Sequence, residues 1–133
     1  MNYDSENIDS GAPLPAYESP DLWRLPDVLD VSIHRRHFDP PFRVTIQGVD
    51  HFESDAVEIE IRVSEPFAIR ALGPVLWVGD EPLTFGESPN KDIYRFFAFK
   101  PEALRAEAPI SIGWGAIGAP RKDTGRRYKA PVE

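Results

Sequence analysis

Proline and glycine recur along the whole chain and set the strongest limit on what it can fold into. Fourteen prolines and nine glycines stand among 133 residues, so few stretches run long enough without one to form a helix of ordinary length. Short strands separated by turns suit such a spacing. We therefore expect a domain built from strands and not a helical bundle.

The apolar residues have the shapes that strands favour. Eight Phe, four Tyr and three Trp stand against one Met, and aromatic side chains fit a pleated, half-buried surface. The length is that of one domain with one core. The chain has no cysteine, which excludes disulfides and thiolate metal sites.

The clearest strand signal is a strict alternation of apolar and charged residues over residues 57–63. It predicts an antiparallel sheet with one face on the core and the other, with Glu58 and Glu60, in water. A polar loop is expected over residues 86–92 and one helical turn over residues 101–106. Further strands are expected over residues 28–39, 43–47, 67–71, 75–78, 93–99 and 110–114.

About seven short strands at this spacing predict an all-β fold, an antiparallel β-sandwich with one short helical turn. An open barrel would show similar spacing. The run from Tyr94 (Tyr-Arg-Phe-Phe-Ala-Phe) through Pro101-Glu-Ala-Leu to Ile110-Ser-Ile-Gly-Trp resembles an immunoglobulin-like or fibronectin-type domain. The resemblance implies two packed antiparallel sheets over residues 28–118 and carries over no site residue.

The two ends of the chain carry opposite charge. Residues 1–27 mix acids with prolines without apolar periodicity, which predicts a flexible acidic arm. Residues 119–133 hold five bases against two acids and are expected to form a basic tail behind the domain of residues 28–118.

The net charge and the amino-terminal sequence narrow the class of partner. A net charge of −7 argues against nonspecific binding to nucleic acid or to anionic membranes. No signal-peptide pattern or apolar run of membrane-spanning length is found, so we expect a cytoplasmic protein without a membrane partner.

Three patterns invite chemistry, and each has a plainer explanation. The histidines His34, His37 and His51 lie near Asp39, but no later histidine completes a metal triad. Residues 113–118 match the dinucleotide-binding glycine pattern without a following helix or strand. A large set of aromatic rings could stack on sugars if exposed, but these rings are expected to supply the core: Trp77, Phe85, Tyr94, Phe96, Phe97, Phe99 and Trp114.

With no credible catalytic, metal or cofactor site, we favour a non-enzymatic protein-binding or accessory domain. It would act through a sheet edge, a loop end or the arm, on a protein partner or a second copy. The alternatives are a small ligand- or carbohydrate-binding domain and a metal-dependent enzyme using the region from His34 to His51. The candidate binding residues are Leu22, Trp23 and Leu25 in the arm and Arg126, Arg127 and Tyr128 in the tail. The basic tail could contact RNA phosphates, an acidic partner or the protein's own arm.

Overall fold

The computed structural model describes residues 24–68, 74–115 and 120–131, and seven strands lie within these ranges. They form one antiparallel sheet in the order β1-β2-β5-β4-β3-β6-β7, and a 3₁₀ turn over Pro101–Ala103 follows β5. The strands are β1 (Val28–Ile46), β2 (Val49–Val63), β3 (Pro74–Val78), β4 (Glu81–Asn90), β5 (Ile93–Ala98), β6 (Pro109–Trp114) and β7 (Arg121–Arg127).

This topology confirms an all-β fold of about seven antiparallel strands with one short helical turn. A two-sheet, immunoglobulin-like sandwich is not confirmed, because the strands are ordered in a single sheet. In the same ranges no helix has the length and apolar character needed to cross a membrane.

Strand β1 joins two segments that the sequence predicts as separate strands. It runs for 19 residues, through Pro40 and Pro41, which were expected to end the first segment. Its pairing with β2 shifts register between His37 and Phe42, so the prolines lie where the ladder is interrupted. A proline at such an irregularity removes no regular ladder hydrogen bond, which is why the strand can continue.

The β1–β2 hairpin is closed by a two-residue turn. Gln47 and Gly48 have φ values of 52° and 80°, and two successive left-handed residues match the twist of the flanking strands. The hairpin is longer than its neighbour in the sheet, since the β2–β5 pairing ends at Val57 and Ala98. The tip of the hairpin therefore extends beyond the end of β5.

One face of the sheet encloses the core. The alternating residues Val57, Ile59 and Ile61 are buried as the sequence predicts. The ring of Phe67 lies 4.8 Å from that of Tyr94 on β5 and 5.4 Å from that of Trp114 on β6. Because β5 and β6 are not neighbours in the strand order, the sheet must curl for one ring to contact both.

Strand β4 replaces most of the loop predicted over residues 86–92. It pairs with β5 through Glu87–Arg95 and Asn90–Ile93, and the turn is confined to residues 91–92. The register is irregular there, which explains why no alternating pattern marks the strand. A Cβ atom added to Gly86 would lie 2.0 Å from Cε2 of Phe97, so glycine makes room for that ring.

Strand β7 lies in the segment that the sequence analysis assigns to the basic tail. It pairs with β6 from Arg121 to Arg127. Lys122 Nζ lies 2.5 Å from Asp27 Oδ1, just before β1 begins. The two strands at the ends of the sheet order are thus brought together by side-chain contacts.

We expect Gly86→Ala to destabilise the domain by about 1–3 kcal/mol, the usual cost of overpacking a filled space. Since the clash is with Phe97, the double variant Gly86→Ala/Phe97→Leu should be less destabilised than the sum of the single variants. Urea unfolding of the four proteins measures both quantities. If the losses in unfolding free energy of the two single variants add strictly in the double variant, the packing of the Phe97 ring does not depend on Gly86.

Candidate functional site

The far part of the β1–β2 hairpin forms a two-stranded ribbon, defined here as residues 42–53. Phe42 pairs with Glu53 at its base, and Ile46 pairs with Val49 beside the turn. Among the described residues, residues 49–56 of β2 pair with β1 alone, because the pairing with β5 begins at Val57. The ribbon therefore presents an open strand edge, which we call the ribbon edge.

Large apolar side chains are exposed at the ribbon tip. Ile46 is 53%, Val49 57% and Phe52 64% exposed. Side chains of successive residues alternate between the two faces of a strand, so Phe52 lies on the face opposite Val49. Across the described residues, only Leu29 and Phe85 join these three as exposed large apolar side chains. The ribbon tip therefore exposes large apolar side chains on both of its faces.

A groove lies beside the ribbon, near the point where the β2–β5 pairing ends. Its volume is about 240 Å³, and we call it the ribbon groove. Its apolar lining comes from the ribbon on one side and from β4, β5 and the 3₁₀ turn on the other: Val44, Ile46, Leu83, Phe97, Phe99 and Leu104. Glu53, Glu81 and Lys100 also line it.

A cluster of four phenylalanines anchors the base of the ribbon. Phe42 stacks on Phe99 with ring centres 5.6 Å apart, and Phe38 meets Phe97 edge-on at 4.9 Å. The guanidinium of Arg36 lies 4.8 Å from the Phe38 ring centre and 5.4 Å from that of Phe97. These contacts fix the direction in which the ribbon leaves the sheet.

Beside this cluster lies a buried carboxylate. Glu58 is 2% exposed, although the sequence pattern predicts it on a solvated face. Its Oε1 accepts a hydrogen bond from Arg36 Nη1 at 2.5 Å, and its Oε2 lies 2.5 Å from His34 Nε2. The charge is therefore compensated by partners from β1, as a buried ion requires.

Further ion pairs extend this network across β5 to β4. Arg95 donates to Glu60 at 2.9 Å and to Glu87 at 2.6 Å. Hydrogen bonds from Arg95 and Arg36 hold the pKa of Glu87 below its ordinary value, and Glu60 and Glu87 raise the pKa of Arg95. The network holds four neighbouring strands together, and Glu58 is not among the residues that line the ribbon groove.

The arm residues proposed from the sequence are only partly described. Leu22 and Trp23 lie outside the described residues. Leu25 is partly buried and packs against the core. Its neighbour Pro26 is buried, so the part of the predicted arm that lies nearest β1 packs against the domain.

The tail residues proposed from the sequence are separated by burial. Arg126 and Arg127 are exposed at the end of β7, where Arg127 donates to the carbonyl oxygen of Glu107 at 3.1 Å. Tyr128 is 3% exposed and lies in the core, and burial raises its pKa. The tyrosine thus anchors the segment, while the two arginines face solvent.

The three histidines do not converge. His34 contacts Glu58, His37 Nδ1 lies 2.9 Å from Asp55 Oδ1, and His51 is exposed on the ribbon. In the described ranges no group of three or more His, Cys, Asp or Glu side chains is placed to hold a metal ion.

Gly113 and most of the aromatic set have structural roles, while residues 116–118 of the glycine pattern lie outside the described residues. A Cβ atom on Gly113 would lie 2.8 Å from the carbonyl oxygen of Pro120, so this glycine lets β7 approach β6. Trp77 is covered by the Arg121 guanidinium at 4.1 Å from the ring centre. Of the rings expected in the core, those of Tyr94, Phe96, Phe97 and Trp114 are buried, whereas Phe85 is 38% exposed, so the prediction is wrong for that residue.

A comparison with protein-family models, curated proteins and solved structures found no match for this chain. The functional reading therefore depends on the geometry of the protein itself.

Sequence reasoning missed the ribbon as a candidate site. Its apolar residues, Ile46, Val49 and Phe52, flank Gly48 in a stretch that also carries Asp50 and Glu53. The signal in the sequence was this combination of apolar and acidic residues around a tight turn, because apolar side chains beside such a turn cannot all reach a core. What could not be read from the sequence is where β5 ends relative to β2.

Replacing Arg36 by methionine should destabilise the domain by about 2–3 kcal/mol, since it removes the arginine's charge-assisted hydrogen bond to Oε1 of the buried Glu58 and leaves that carboxylate only its contact with His34 and the more distant Arg95. The matched control is Arg43→Met, which removes a 4.0 Å ion pair from an arginine side chain that is 68% exposed and should cost less than about 0.5 kcal/mol. Urea unfolding at neutral pH compares the two. Equal losses would contradict the role given to Arg36.

Proposed function

We propose that this protein is a protein-binding domain that takes up an extended segment of another protein along the ribbon edge. The observation that carries the proposal is the stretch of β2, residues 49–56, that continues past the end of β5 with apolar side chains exposed beside it. An added strand would pair with the open backbone groups and place its side chains against both faces of the ribbon.

The ribbon groove supports strand addition over simple contact with the tip. The groove lies between the ribbon and β4, in line with β5, whose pairing with β4 begins at Phe97. A segment entering there would continue the line of β5 between its two neighbours. Val44, Leu83 and Leu104 would receive its apolar side chains.

The charges around the edge favour a basic segment. Asp50, Glu53 and Asp55 lie on the open stretch of β2, residues 49–56, and Glu81 lies across the groove from it, where Lys100 is the one cation among the lining residues. Opposite charges on adjacent strands are stabilising, and like charges directly opposite each other are destabilising. A partner segment that alternates apolar residues with Lys or Arg fits this surface.

A basic segment suits the ribbon edge better than a second copy of this chain or the protein's own residues 1–23. Two copies paired antiparallel and centred on residues 52–53 would place Asp50 opposite Asp55 twice. Residues 1–23 contain five acids and no base, so they are repelled by the same carboxylates.

Two finer predictions from the sequence remain proposals. Strand β4 pairs with β3 through Glu81–Leu83 and with β5 from Thr84 onward, which supports a sheet bent into two packed halves, as in a sandwich. The cytoplasmic location rests on the sequence alone.

The ribbon is tested by placing a photoreactive phenylalanine analogue at position 52, with position 29 as the control. Leu29 is also exposed, at 46%, but lies at the other end of β1. After irradiation in cells, we expect position 52 to cross-link one extended segment of a partner and position 29 not to do so.

The cross-linked partner is then measured against two variants of this protein. Ile46→Lys should weaken binding at least about tenfold, the effect of losing about 1.4 kcal/mol at an interface. Leu29→Lys should leave it unchanged. Cross-links of equal yield at both positions, or a product of two copies of this chain, would contradict the proposal.

A further inference from the structure

A second groove runs between the strands at the two ends of the sheet order, β1 and β7, and we call it the edge groove. Its volume is about 620 Å³. Val31 and Ile33 of β1 supply an apolar wall, and three cations line it from β7 and the residues after it: Arg126, Arg127 and Lys129. Glu107 is the acid among the lining residues.

The cations are held at the groove by their neighbours. Tyr128 lies between Arg127 and Lys129 in the sequence, and its buried side chain anchors the backbone there. Its amide donates a hydrogen bond to the carbonyl oxygen of Ala108 at 2.9 Å. Arg126 Nη1 lies 3.9 Å from Asp30 Oδ1, so a carboxylate on the β1 side already meets this positive surface.

The directions of β1 and β7 are compatible with one more antiparallel strand between them. In a sheet of seven strands in which every neighbouring pair is antiparallel, the first and last strands point the same way. The ion pairs Asp27–Lys122 and Asp30–Arg126 agree with this parallel direction, because the residue numbers on both sides increase from the first pair to the second. A segment lying in the edge groove and running opposite to both strands would therefore pair antiparallel with each of them.

We propose that the acidic residues 1–23 of this same chain dock in the edge groove. This segment carries five acids and no base: Asp4, Glu6, Asp9, Glu18 and Asp21. Its charge complements the three cations of the groove. Its apolar residues can pack on Val31 and Ile33.

The geometry allows this docking. Residues 1–23 precede Asp27, which is fixed to Lys122 at the start of β7. From Asp27 to the level of Ile33 is about 20 Å along a strand, while 23 residues can span up to about 75 Å. A segment tethered at this distance has an effective concentration in the millimolar range, far above that of a free competitor.

The docked arm covers the basic surface that would otherwise face acidic partners. The edge groove and the ribbon groove share none of their lining residues. Arm docking therefore stands or falls independently of strand addition at the ribbon.

Paramagnetic broadening tests the docking in the full chain. Because the chain has no cysteine, Ser10→Cys gives a single attachment point for a nitroxide label. We expect the amide signals of Val31, Ile33 and Lys129 to broaden at low salt and those of Gln47 and Gly48 at the ribbon turn to stay sharp. The broadening should fade as salt shortens the Debye length from about 30 Å at 0.01 M to about 3 Å at 1 M.

A charge-reversal pair sharpens the test. Arg126→Glu/Arg127→Glu/Lys129→Glu should abolish the broadening, whereas the matched control Arg43→Glu/Arg62→Glu/Arg105→Glu, at three exposed arginines elsewhere, should retain it. Should the first variant fail to fold, the salt series on the native groove decides the matter.

Three results would overturn the proposal. One is the absence of broadening at the groove at low salt, which would leave it open to another acidic ligand. The second is broadening that salt and charge reversal do not change. The third is broadening in a mixture of labelled chains with unlabelled, isotope-enriched chains, which would place the arm on a second copy.

Discussion

The buried carboxylate of Glu58 is the group on which the rest of this structure depends. A charge that is 2% exposed must be compensated, and its compensation brings Arg36 and His34 of β1 over β2. Arg36 in turn lies on the rings that anchor the ribbon. The packing at the base of the ribbon is therefore linked to how this one charge is held, and the open edge of residues 49–56 begins where the β2–β5 pairing ends at Val57.

Much of the fold was open to prediction from local pattern. The alternation from Val57 to Val63 gave the buried face of β2 because a period of two leaves no other arrangement for four β-branched residues. The proline-led turn after Lys100 was likewise readable, and the structure has it as Pro101–Ala103. Both features depend on residues close together in sequence.

The remaining features depend on residues far apart in sequence. The burial of Glu58 requires Arg36, 22 residues away, and no pattern within β2 reports it. Strand β4 was not predicted because Gly86 interrupts its pattern, and this glycine is needed to make room for Phe97 on β5. Strand β7 was not predicted because its residues are polar and it lies at the edge of the sheet. The ribbon site was missed for the same reason, since it exists only where β2 outlasts β5.

Amide hydrogen exchange along β2 in the free, full-length protein tests most directly whether residues 49–56 form an open strand edge. We predict slow exchange throughout residues 57–62, which have strands on both sides, and alternating fast and slow exchange over residues 49–56, which have a neighbour on one side. Uniformly slow exchange over residues 49–56, as in the sheet interior, would show that this edge is already covered and that no open strand edge exists there.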